Sequence, residues 1–545
     1  MVNVLIVIPA RGGSKGIPRK NLRPLNSLPL ISYSVATALK SGYAPDVYVS
    51  SEDTEVLSIA EGLGAQPHLR IHSLALDATT LDPVVFNAYQ EIASKENKHY
   101  DFVVTMQPTS PLLTTRTLDA AIGIIIEDQS IDTIISAIDD THLTWRANDN
   151  YGYLPNYIER VNRQSLPSTY KETGGFLISR SAAIRPDSRI GENVQLFVIN
   201  NQQEAIDIDT FQDWNLCEYY LKRKTIVFVV SGYKEIGMGH VYNALILANE
   251  ILNHRLVFVV DKKSQLAFDK INESNYEVYL QASENIIDDI SPFRPSLVIN
   301  DRLDTEKDYV LGLQKIGAKV LSIEDLGDGA LAADCVVNAI YPEDKIVDGH
   351  YYGEKYFCAR DEFSMISRGR VSQEVKNVLI SYGGVDPKNL TIKTVESIYH
   401  YCQTNEISLN VIVGMGYGEL ASLERFEHIA VHNNVKDIAK HMHAADIVFS
   451  SAGRTVYELA IVGTPSIVLA QNSRELTHLF ASEENGFLHL GLGAEIPPSE
   501  IHDAFVGLAG DYEERLRMQR RMAKKDILGG KLRVIKIINE LLEKS

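Results

Sequence analysis

The sequence predicts an α/β protein in which a Rossmann-like N-terminal domain is followed by a pair of α/β lobes. Apolar runs of strand length alternate with helical patterns, which predicts mostly parallel sheets covered by helices on both faces. A glycine-rich loop follows the first strand-like run, and a second strand followed by a glycine loop begins near residue 225. At 545 residues the chain exceeds what one hydrophobic core usually serves, which favours two to four domains.

The first half shows this alternation most clearly. Strands are predicted over residues 3–8, 46–50, 102–106 and 133–137, and helices over 31–41, 55–63 and 211–221. The loop after the first strand should therefore lie at the carboxyl edge of a parallel sheet, where such folds bind ligands. Residues 148–173 interrupt the rhythm with tyrosines, prolines and charges, and we interpret them as an insertion that serves as a dimer arm or a substrate lid.

A new domain is predicted to begin after the short basic linker at 222–224. Strand-like residues 225–231 and the glycine loop after them repeat the pattern of the N-terminus. The sequence thus divides into a domain over 1–222 and a region over 225–545, with lobes at about 225–365 and 370–545. The second lobe opens with an apolar run at 375–381, and residues 513–544 form a charged amphipathic helical region.

Composition and charge argue against several classes of function. The formal charge of −18 argues against a nucleic-acid or anionic-membrane partner, because binding either depends on an excess of lysine and arginine. No apolar stretch approaches the ~20 residues that span a bilayer, and the first apolar run lacks the basic residues of a signal peptide. The four cysteines lack metal-ligand spacing, so we expect buried thiols and a cytoplasmic protein.

The loop over residues 9–21 predicts a cradle for a nucleoside triphosphate. Its glycines let backbone N–H groups approach phosphate oxygens where a Cβ would collide, and its cations stand out in an acidic chain. The spacing excludes a Walker A loop, which needs Gly-Lys-Ser/Thr in that order. An ordinary polar loop is the alternative. The glycines are Gly12, Gly13 and Gly16, and the cations are Arg11, Lys15, Arg19 and Lys20.

Three segments of the first half resemble the acylneuraminate cytidylyltransferases, which make CMP-sialic acids and their bacterial relatives. They are residues 9–21, 107–113 (QPTSPLL) and 205–210 (AIDIDT), in the order of that family. The resemblance covers about residues 1–222 and implies a nucleotidyltransferase fold, CTP and a nonulosonic acid as substrates, Mg²⁺ as cofactor, and a homodimer through this domain. Neuraminic, legionaminic and pseudaminic acids remain open as the sugar, and a shorter ulosonic acid is the alternative.

The same resemblance implies roles for individual residues. Asp207 and Asp209, two apart in an extended segment, would point to one face and hold Mg²⁺, whereas the alternative is a solvated strand end. Lys171 stands where the family often has an arginine for the sugar carboxylate, so Arg160 or Arg163 is an alternative contact. Arg11 and Lys20 would contact the triphosphate, Gly12, Gly13, Ser14 and Asn21 would line the nucleotide pocket, and Gln107 would contact the sugar acid. Asp77, Thr80 and Asp82 also match family positions, and the two aspartates are otherwise helix caps.

Three segments of the second half resemble pseudaminic-pathway UDP-sugar hydrolases, relatives of the two-lobed GT-B glycosyltransferases. They are residues 237–240 (GMGH), 380–391 (ISYGGVDPKNLT) and 451–459 (SAGRTVYEL), within about residues 225–490. The resemblance implies GT-B-like lobes that bind a UDP-sugar, with His240 as general base for the water that expels UDP. Gly453 and Thr455 would open a helix facing the diphosphate, and Glu458 would accept hydrogen bonds from the ribose. A structural histidine, a capping threonine and a surface glutamate are the alternatives.

One departure from the hydrolases leaves the second activity open. Asn243 stands where those relatives usually carry an arginine, so a cation is missing unless Arg302, Arg360 or Arg454 replaces it. The leading hypothesis is a bifunctional enzyme of nonulosonic acid biosynthesis, whose second half releases UDP from a UDP-diacetamido-trideoxy sugar. A non-catalytic nucleotide-sugar-binding module and a glycosyltransferase are the alternatives for that half.

Overall fold

The computed structural model describes residues 2–14, 16–76, 78–149, 152–233, 236–341, 347–414 and 416–544. The chain forms two compact units, Met1–Arg223 and Lys224–Ser545. Lys15 and Asp77, two of the candidate site residues, lie outside the described residues. No helix in the described ranges is long and apolar enough to cross a membrane.

A seven-stranded sheet with helices on both faces forms the first unit. Its strands, together with those of two short hairpins, are β1 (Val4–Pro9), β2 (Pro24–Leu25), β3 (Leu28–Pro29), β4 (Asp46–Ser51), β5 (Gln66–Leu69), β6 (Phe102–Met106), β7 (Thr133–Asp139), β8 (Trp145–Asn148), β9 (Gly152–Pro155), β10 (Tyr170–Arg180) and β11 (Val194–Val198). Its helices are α1 (Ile31–Leu39), α2 (Thr54–Gly62), α3 (Leu81–Glu96), α4 (Thr115–Glu127) and α5 (Phe211–Lys222).

The strand order of the large sheet is β11-β7-β10-β6-β1-β4-β5. Every residue of β1 is buried, because its run of aliphatic side chains faces helices on both sides. The mostly parallel sheet predicted from the sequence is confirmed, but β10 runs antiparallel to β6 and β7. The pairing of β10 with β7 is interrupted between Glu172 and Leu177, where Gly174 has a φ of +71°. The loop after β1 lies at the carboxyl edge of the sheet, as does Gln107 after β6.

The predicted insertion contains an exposed antiparallel hairpin, β8 and β9. Trp145 and Tyr153 are 54% and 73% exposed on this hairpin, and Ile158 beyond it is fully exposed. The hairpin begins before residue 148, and residues 170–173 belong to β10, so the predicted boundaries of the insertion are shifted. The pattern missed the start of β10 because its first three residues are exposed and lack an apolar alternation.

The second unit contains two parallel sheets with intervening helices. The strands are β12 (Thr225–Val230), β13 (Arg255–Val260), β14 (Val278–Leu280), β15 (Leu297–Asp301), β16 (Lys319–Ile323), β17 (Cys335–Asn338), β18 (His350–Tyr352), β19 (Asn377–Ser381), β20 (Ser408–Val413), β21 (Ile429–Asn433), β22 (Ile447–Ser450), β23 (Ser466–Ala470) and β24 (Phe487–Leu492). The helices are α6 (Gly239–Glu250), α7 (Gln265–Glu273), α8 (Ile286–Ile290), α9 (Lys307–Lys315), α10 (Asp361–Ser364), α11 (Leu390–Thr404), α12 (Leu420–Leu423), α13 (Ile438–Ala444), α14 (Thr455–Val462), α15 (Pro498–Gly510), α16 (Tyr512–Met522) and α17 (Gly530–Glu543).

Each sheet of the second unit defines a lobe. The first lobe has the order β14-β13-β12-β15-β16-β17-β18, and the second has the order β21-β20-β19-β22-β23-β24. This arrangement confirms the predicted α/β class with two lobes after the N-terminal domain. The last helix, α17, returns to the first lobe, where Val534 and Ile538 join the same core as Phe228 and Leu321. The buried apolar stripe of α17 accounts for part of the amphipathic pattern read at 513–544.

Candidate active sites

Two glycines of the N-terminal loop occupy places that a larger residue cannot fill. A Cβ at Gly12 would lie 2.5 Å from Asp53 Oδ2, and a Cβ at Gly16 would lie 2.8 Å from the backbone oxygen of Asp209. At Gly13, by contrast, nothing lies within 4 Å of a Cβ, and the residue is exposed. The loop therefore packs closely on the 205–210 segment at one end and is open at Gly13 and Ser14.

Hydrogen bonds hold the ends of this loop in place. Asn21, which is buried, donates from Nδ2 to the backbone oxygen of Arg11 at 2.9 Å. Lys20 donates from Nζ to the backbone oxygen of Ile208 at 2.7 Å and lies 3.4 Å from Asp209 Oδ1. The structure thus brings the predicted phosphate-binding lysine to the predicted metal-binding segment, and it gives Asn21 a role in shaping the loop.

The two predicted metal ligands differ in their surroundings. Asp207 Oδ1 is buried and has no hydrogen-bond partner among the described residues, whereas the side chain of Asp209 is 77% exposed. Burial raises the pKa of Asp207 and the charge of Asp209 adds to the rise, whereas the side chain of Thr109 lowers this pKa. Ile208 between them is buried in the core.

This pair fits a divalent cation that takes its remaining ligands from phosphates and water. No group of three or more His, Cys, Asp or Glu side chains in the described ranges could hold a metal, so the protein offers two carboxylates here. Mg²⁺ is commonly bound by one or two carboxylates together with substrate phosphates. The unpartnered oxygen of Asp207 is the acceptor such an ion would satisfy.

The candidate sugar-binding residues lie beside this pair. A Cβ at Gly174 would lie 3.1 Å from Gln107 Nε2 and 3.4 Å from Asp207 Oδ2, so these two side chains meet at the bend of β10. Burial raises the pKa of Asp213 near the start of α5, but hydrogen bonds from Thr210 and the backbone of Asp209 and the charge of Lys171 lower it, and the pKa is lowered overall.

The other described candidates of this unit have different surroundings. Hydrogen bonds from Thr141 lower the pKa of Asp139 at the end of β7, and the charge of the exposed Arg163 adds to this lowering. Asp82 accepts hydrogen bonds from the backbone and Nε of Arg189, at 3.1 and 2.8 Å, so its carboxylate is tied to a neighbouring loop. Thr80 precedes α3 without a side-chain capping bond.

Sequence reasoning missed a buried ion pair beneath the glycine-rich loop. Glu52 Oε1 accepts a hydrogen bond from the backbone N–H of Gly12 at 2.7 Å, and Glu52 Oε2 lies 3.9 Å from Arg70 Nη1. Arg70 is 6% exposed and donates from Nη2 to the backbone oxygen of Ser50 at 2.6 Å. Glu52 follows β4, which pairs in parallel with β1. Placing these two predicted strands side by side would have put Glu52 next to the glycine-rich loop.

In the second unit, His240 is paired with a buried carboxylate. His240 lies in the first turn of α6, and its Nδ1 is 2.8 Å from Asp301 Oδ1 at the end of β15. Asp301 is fully buried. Burial alone would lower the pKa of His240, but the hydrogen bond and charge of Asp301 outweigh it, and the pKa is raised. A proton on Nδ1 leaves Nε2 as the ring nitrogen that can accept a proton.

Asn243 connects this pair to the second lobe. Asn243 Nδ2 donates to Asp301 Oδ2 at 2.5 Å, and Arg454 Nη2 donates to Asn243 Oδ1 at 2.7 Å. Arg454 also pairs with Glu324. Of the three arginines considered as replacements for the missing cation, Arg454 is therefore the one that contacts Asn243. Arg302 instead stacks over the ring of Tyr309, and Arg360 pairs with Glu458.

The predicted nucleotide-binding residues of the second lobe lie around the start of α14. Thr455 is the first residue of this helix, and Gly453 lies in the loop before it. Glu475 Oε2 accepts hydrogen bonds from the backbone N–H groups of Ala452 and Gln471, and burial raises its pKa to about 7. This half-buried carboxyl therefore holds the backbone of Ala452 in the loop before α14 and of Gln471 after β23.

Glu458 has a partner that the sequence did not suggest. Both of its carboxylate oxygens accept hydrogen bonds from Arg360, each at 2.9 Å, and the residue is 8% exposed. A ribose would have to share this carboxylate with Arg360. The ribose role of Glu458 stays a prediction.

Loops from the two lobes meet at His240. A Cβ at Gly384 would lie 3.7 Å from Met238 Cβ, and a Cβ at Gly239 would lie 3.4 Å from Arg454 Cδ. The three segments 237–240, 380–391 and 451–459 are thus brought together. A cavity of about 300 Å³ at the carboxyl edge of the first lobe is lined by Lys262, Lys263 and Arg302, among others.

Known proteins that are similar to this chain fall into two groups: some match only the first unit, and others extend into the second. The family described as cytidylyltransferase matches residues 5–173. The pseudaminic acid cytidylyltransferase of Campylobacter jejuni is 35% identical over 225 residues, which cover 40% of this chain and 96% of that protein.

Two further relatives extend beyond the first unit. An uncharacterized protein of Methanocaldococcus jannaschii, MJ1062, is 31% identical over 313 residues, which cover 49% of this chain and 64% of that protein. The spore coat polysaccharide biosynthesis protein SpsG of Bacillus subtilis is 23% identical over 337 residues, covering 58% of this chain and 98% of that protein. Both alignments are longer than residues 1–223, so both include part of the second unit.

Proposed function

Because this chain belongs to the cytidylyltransferase family, we propose that its first unit transfers CMP from CTP to a nine-carbon sugar acid and releases pyrophosphate. The 35% identity to a pseudaminic acid cytidylyltransferase, over 96% of that protein, supports the proposal. The observation that carries it is the convergence of Lys20, Gln107 and the Asp207 carboxylate beside the glycine-rich loop.

In the proposed reaction, the anomeric hydroxyl of the sugar acid attacks the α-phosphorus of CTP, and the bond to pyrophosphate breaks. This chemistry depends on positioning and on neutralising phosphate charge. Arg11 and Lys20 supply fixed positive charge at the loop, and the open backbone at Gly13 and Ser14 leaves room for phosphate oxygens. A Mg²⁺ ion held by Asp207 and Asp209 would add further charge neutralisation on the triphosphate.

The sugar acid is proposed to be pseudaminic acid, with legionaminic and neuraminic acids and a shorter ulosonic acid as the competitors. Gln107 lies where it can orient the sugar, and Lys171 and Arg163 are the candidate cations for its carboxylate. The test is pyrophosphate release from CTP and Mg²⁺ across a panel of these acids. Lys171→Met is expected to raise the KM for the acid about tenfold with little change for CTP, with Arg163→Met as the matched comparison. Absence of turnover with every acid would refute the proposal.

The second unit is proposed to hydrolyse a UDP-diacetamido-trideoxy sugar. Water would attack the anomeric carbon, the bond from that carbon to the UDP oxygen would break, and His240 Nε2 would take the proton of the water. The pairing of His240 with the buried carboxylate of Asp301 supports this role, because it fixes the ring and its tautomer. The loop before α14 is the proposed site of the diphosphate.

A glycosyltransferase is the second candidate for this unit. The cavity of about 300 Å³ lined by Arg302 favours it, because this cavity offers space for an acceptor other than water. Arg302 follows Asp301, the partner of His240. UDP release is measured with and without added acceptor sugars. Release in water alone, abolished by His240→Gln but not by the control His400→Gln on exposed α11 surface, is expected for a hydrolase. Release only with acceptor would select the transferase, and no release would select a binding module.

The first unit is also proposed to form a homodimer through the β8–β9 hairpin. Trp145 and Tyr153 expose large aromatic surfaces there, which is typical of an interaction site. Light scattering on the full chain is expected to show a dimer that Trp145→Ser/Tyr153→Ser converts to monomer. A dimer that persists in the double variant would contradict this assignment.

A further inference from the structure

A chain of hydrogen bonds crosses from the second lobe to the histidine of the first lobe. Arg454 donates to the amide oxygen of Asn243 at 2.7 Å, and the amide nitrogen donates to Asp301 Oδ2 at 2.5 Å. The other carboxylate oxygen of Asp301 contacts His240 Nδ1 at 2.8 Å. The side chain of Asn243 thus joins a guanidinium in one lobe to a carboxylate in the other.

The polarity of an amide suits this position. Its oxygen accepts and its nitrogen donates, so Asn243 fits between a cation and an anion in one orientation. Asn243 and Asp301 are 2% and 0% exposed, so water cannot readily replace either bond. An arginine at this position, as in the hydrolases that this half resembles, would place a second cation against Arg454 in a buried site.

Charged groups from three elements surround His240. Asp301 ends β15, Glu324 follows β16, and Arg454 precedes α14. Burial lowers the pKa of the His240 ring and is the largest single influence, and the charge of Arg454 lowers it further. Asp301 and Glu324 raise this pKa by more in sum, so the pKa is raised overall. The thiol of Cys358 lies among the same groups and stays protonated, because burial raises its pKa to about 12.

We propose that Arg454 is a positioning residue that acts through Asn243 on Asp301 and His240, so that the base is aligned only while the two lobes are joined. This rests on the proposed reaction of the second unit, in which His240 Nε2 takes the proton of water. Arg454 lies between Gly453 and Thr455, in the loop assigned to the diphosphate. Nucleotide binding and alignment of the base therefore depend on one loop.

The ionisation of His240 tests the proposal without turnover. Its pKa is measured by NMR titration of the full chain labelled with ¹⁵N-histidine. If Arg454 positions Asp301 through Asn243, Arg454→Met weakens the contact between Asp301 and the ring that raises the pKa of His240, so this pKa is expected to fall. If Arg454 acts through its charge alone, its removal takes away an influence that lowers this pKa, and the pKa rises instead. Arg474→Met, which breaks a different contact between the lobes, is the matched control and should leave the titration unchanged.

Turnover provides the second test. Asn243→Ala and Arg454→Met are each expected to lower kcat for UDP release about 10²-fold, the order of loss that a misplaced catalytic group causes. The double variant should lose little more, because both changes break one chain. Additive losses, or a rise in the His240 pKa in Arg454→Met, would overturn the proposal. If the unaltered protein releases no UDP from any UDP-sugar, the proposed reaction fails, whereas the NMR titration still decides the role of Arg454.

Discussion

Replacing Gly16 by alanine tests whether the glycine-rich loop and the acidic pair act as one site. The new Cβ would lie 2.8 Å from the backbone oxygen of Asp209, whereas ordinary contacts begin at 3.4 Å, so one backbone must move by about 0.6 Å. Asp209 cannot move freely, because Ile208 beside it is buried with Ile17 and Trp214. Overpacking of this kind typically costs about 1–3 kcal/mol.

The expected consequence is a weaker metal site as well as a less stable unit. A shift of this size in a charged ligand is expected to lower kcat about tenfold and to raise the Mg²⁺ concentration needed for half-maximal activity. Gly13→Ala is the matched control, because a Cβ there meets nothing within 4 Å. That variant should keep the stability and Mg²⁺ dependence of the unaltered protein, and any loss should appear in the KM for CTP.

The assay combines pyrophosphate release at varied Mg²⁺ with thermal unfolding in the presence and absence of CTP. The CTP-sensitive transition identifies the first unit, and a destabilisation of 1 kcal/mol should lower its midpoint by about 2–4 °C. Equal behaviour of the two alanine variants in both measurements would refute the link between the loop and the Asp209 backbone.

Three further predictions concern single side chains. Asp207→Asn is expected to lower CMP transfer about 10²-fold, measured by pyrophosphate release, and full activity with an unchanged Mg²⁺ dependence would contradict a ligand role. Glu475 has a folded-state pKa raised to about 7 by burial, so its contribution favours folding at low pH and declines by roughly 3 kcal/mol as the pH rises from about 4.5 to 7. Glu475→Gln should remove this decline from the pH profile of urea unfolding, and an unchanged profile would exclude it. Arg515 is fully buried and donates to four backbone carbonyl oxygens. Arg515→Met is expected to lower the free energy of unfolding of the second unit by about 3 kcal/mol, and a loss below about 1 kcal/mol in urea unfolding would show that these contacts are dispensable.

Local features explain what the sequence predicted well. The strands and the loops after them follow from short apolar runs and nearby glycines, so the position of residues 9–21 at the carboxyl edge could be deduced from alternation alone. The meeting of residues 237–240, 380–391 and 451–459 was implied by the resemblance to a two-lobed family, and the structure shows these segments in contact.

Contacts between residues far apart in the chain could not be deduced in this way. Asp301 lies 61 residues after His240, and nothing near either residue indicates that β15 pairs with β12 and brings them together. The antiparallel direction of β10 was missed for a similar reason, because alternating strands and helices carry no signal for one reversed strand. The partner of Glu458 also depends on long-range packing, since Arg360 is 98 residues away.

The return of α17 to the first lobe sets an order of events during synthesis. The first lobe leaves the ribosome long before α17, yet Val534 and Ile538 complete the core that contains Phe228 and Leu321. Until this helix has been translated, the lobe exposes the apolar face that α17 will cover. Chaperones can bind this face, and other nascent chains can aggregate on it. A premature stop codon before α17 would therefore damage a lobe whose own sheet had already been translated in full.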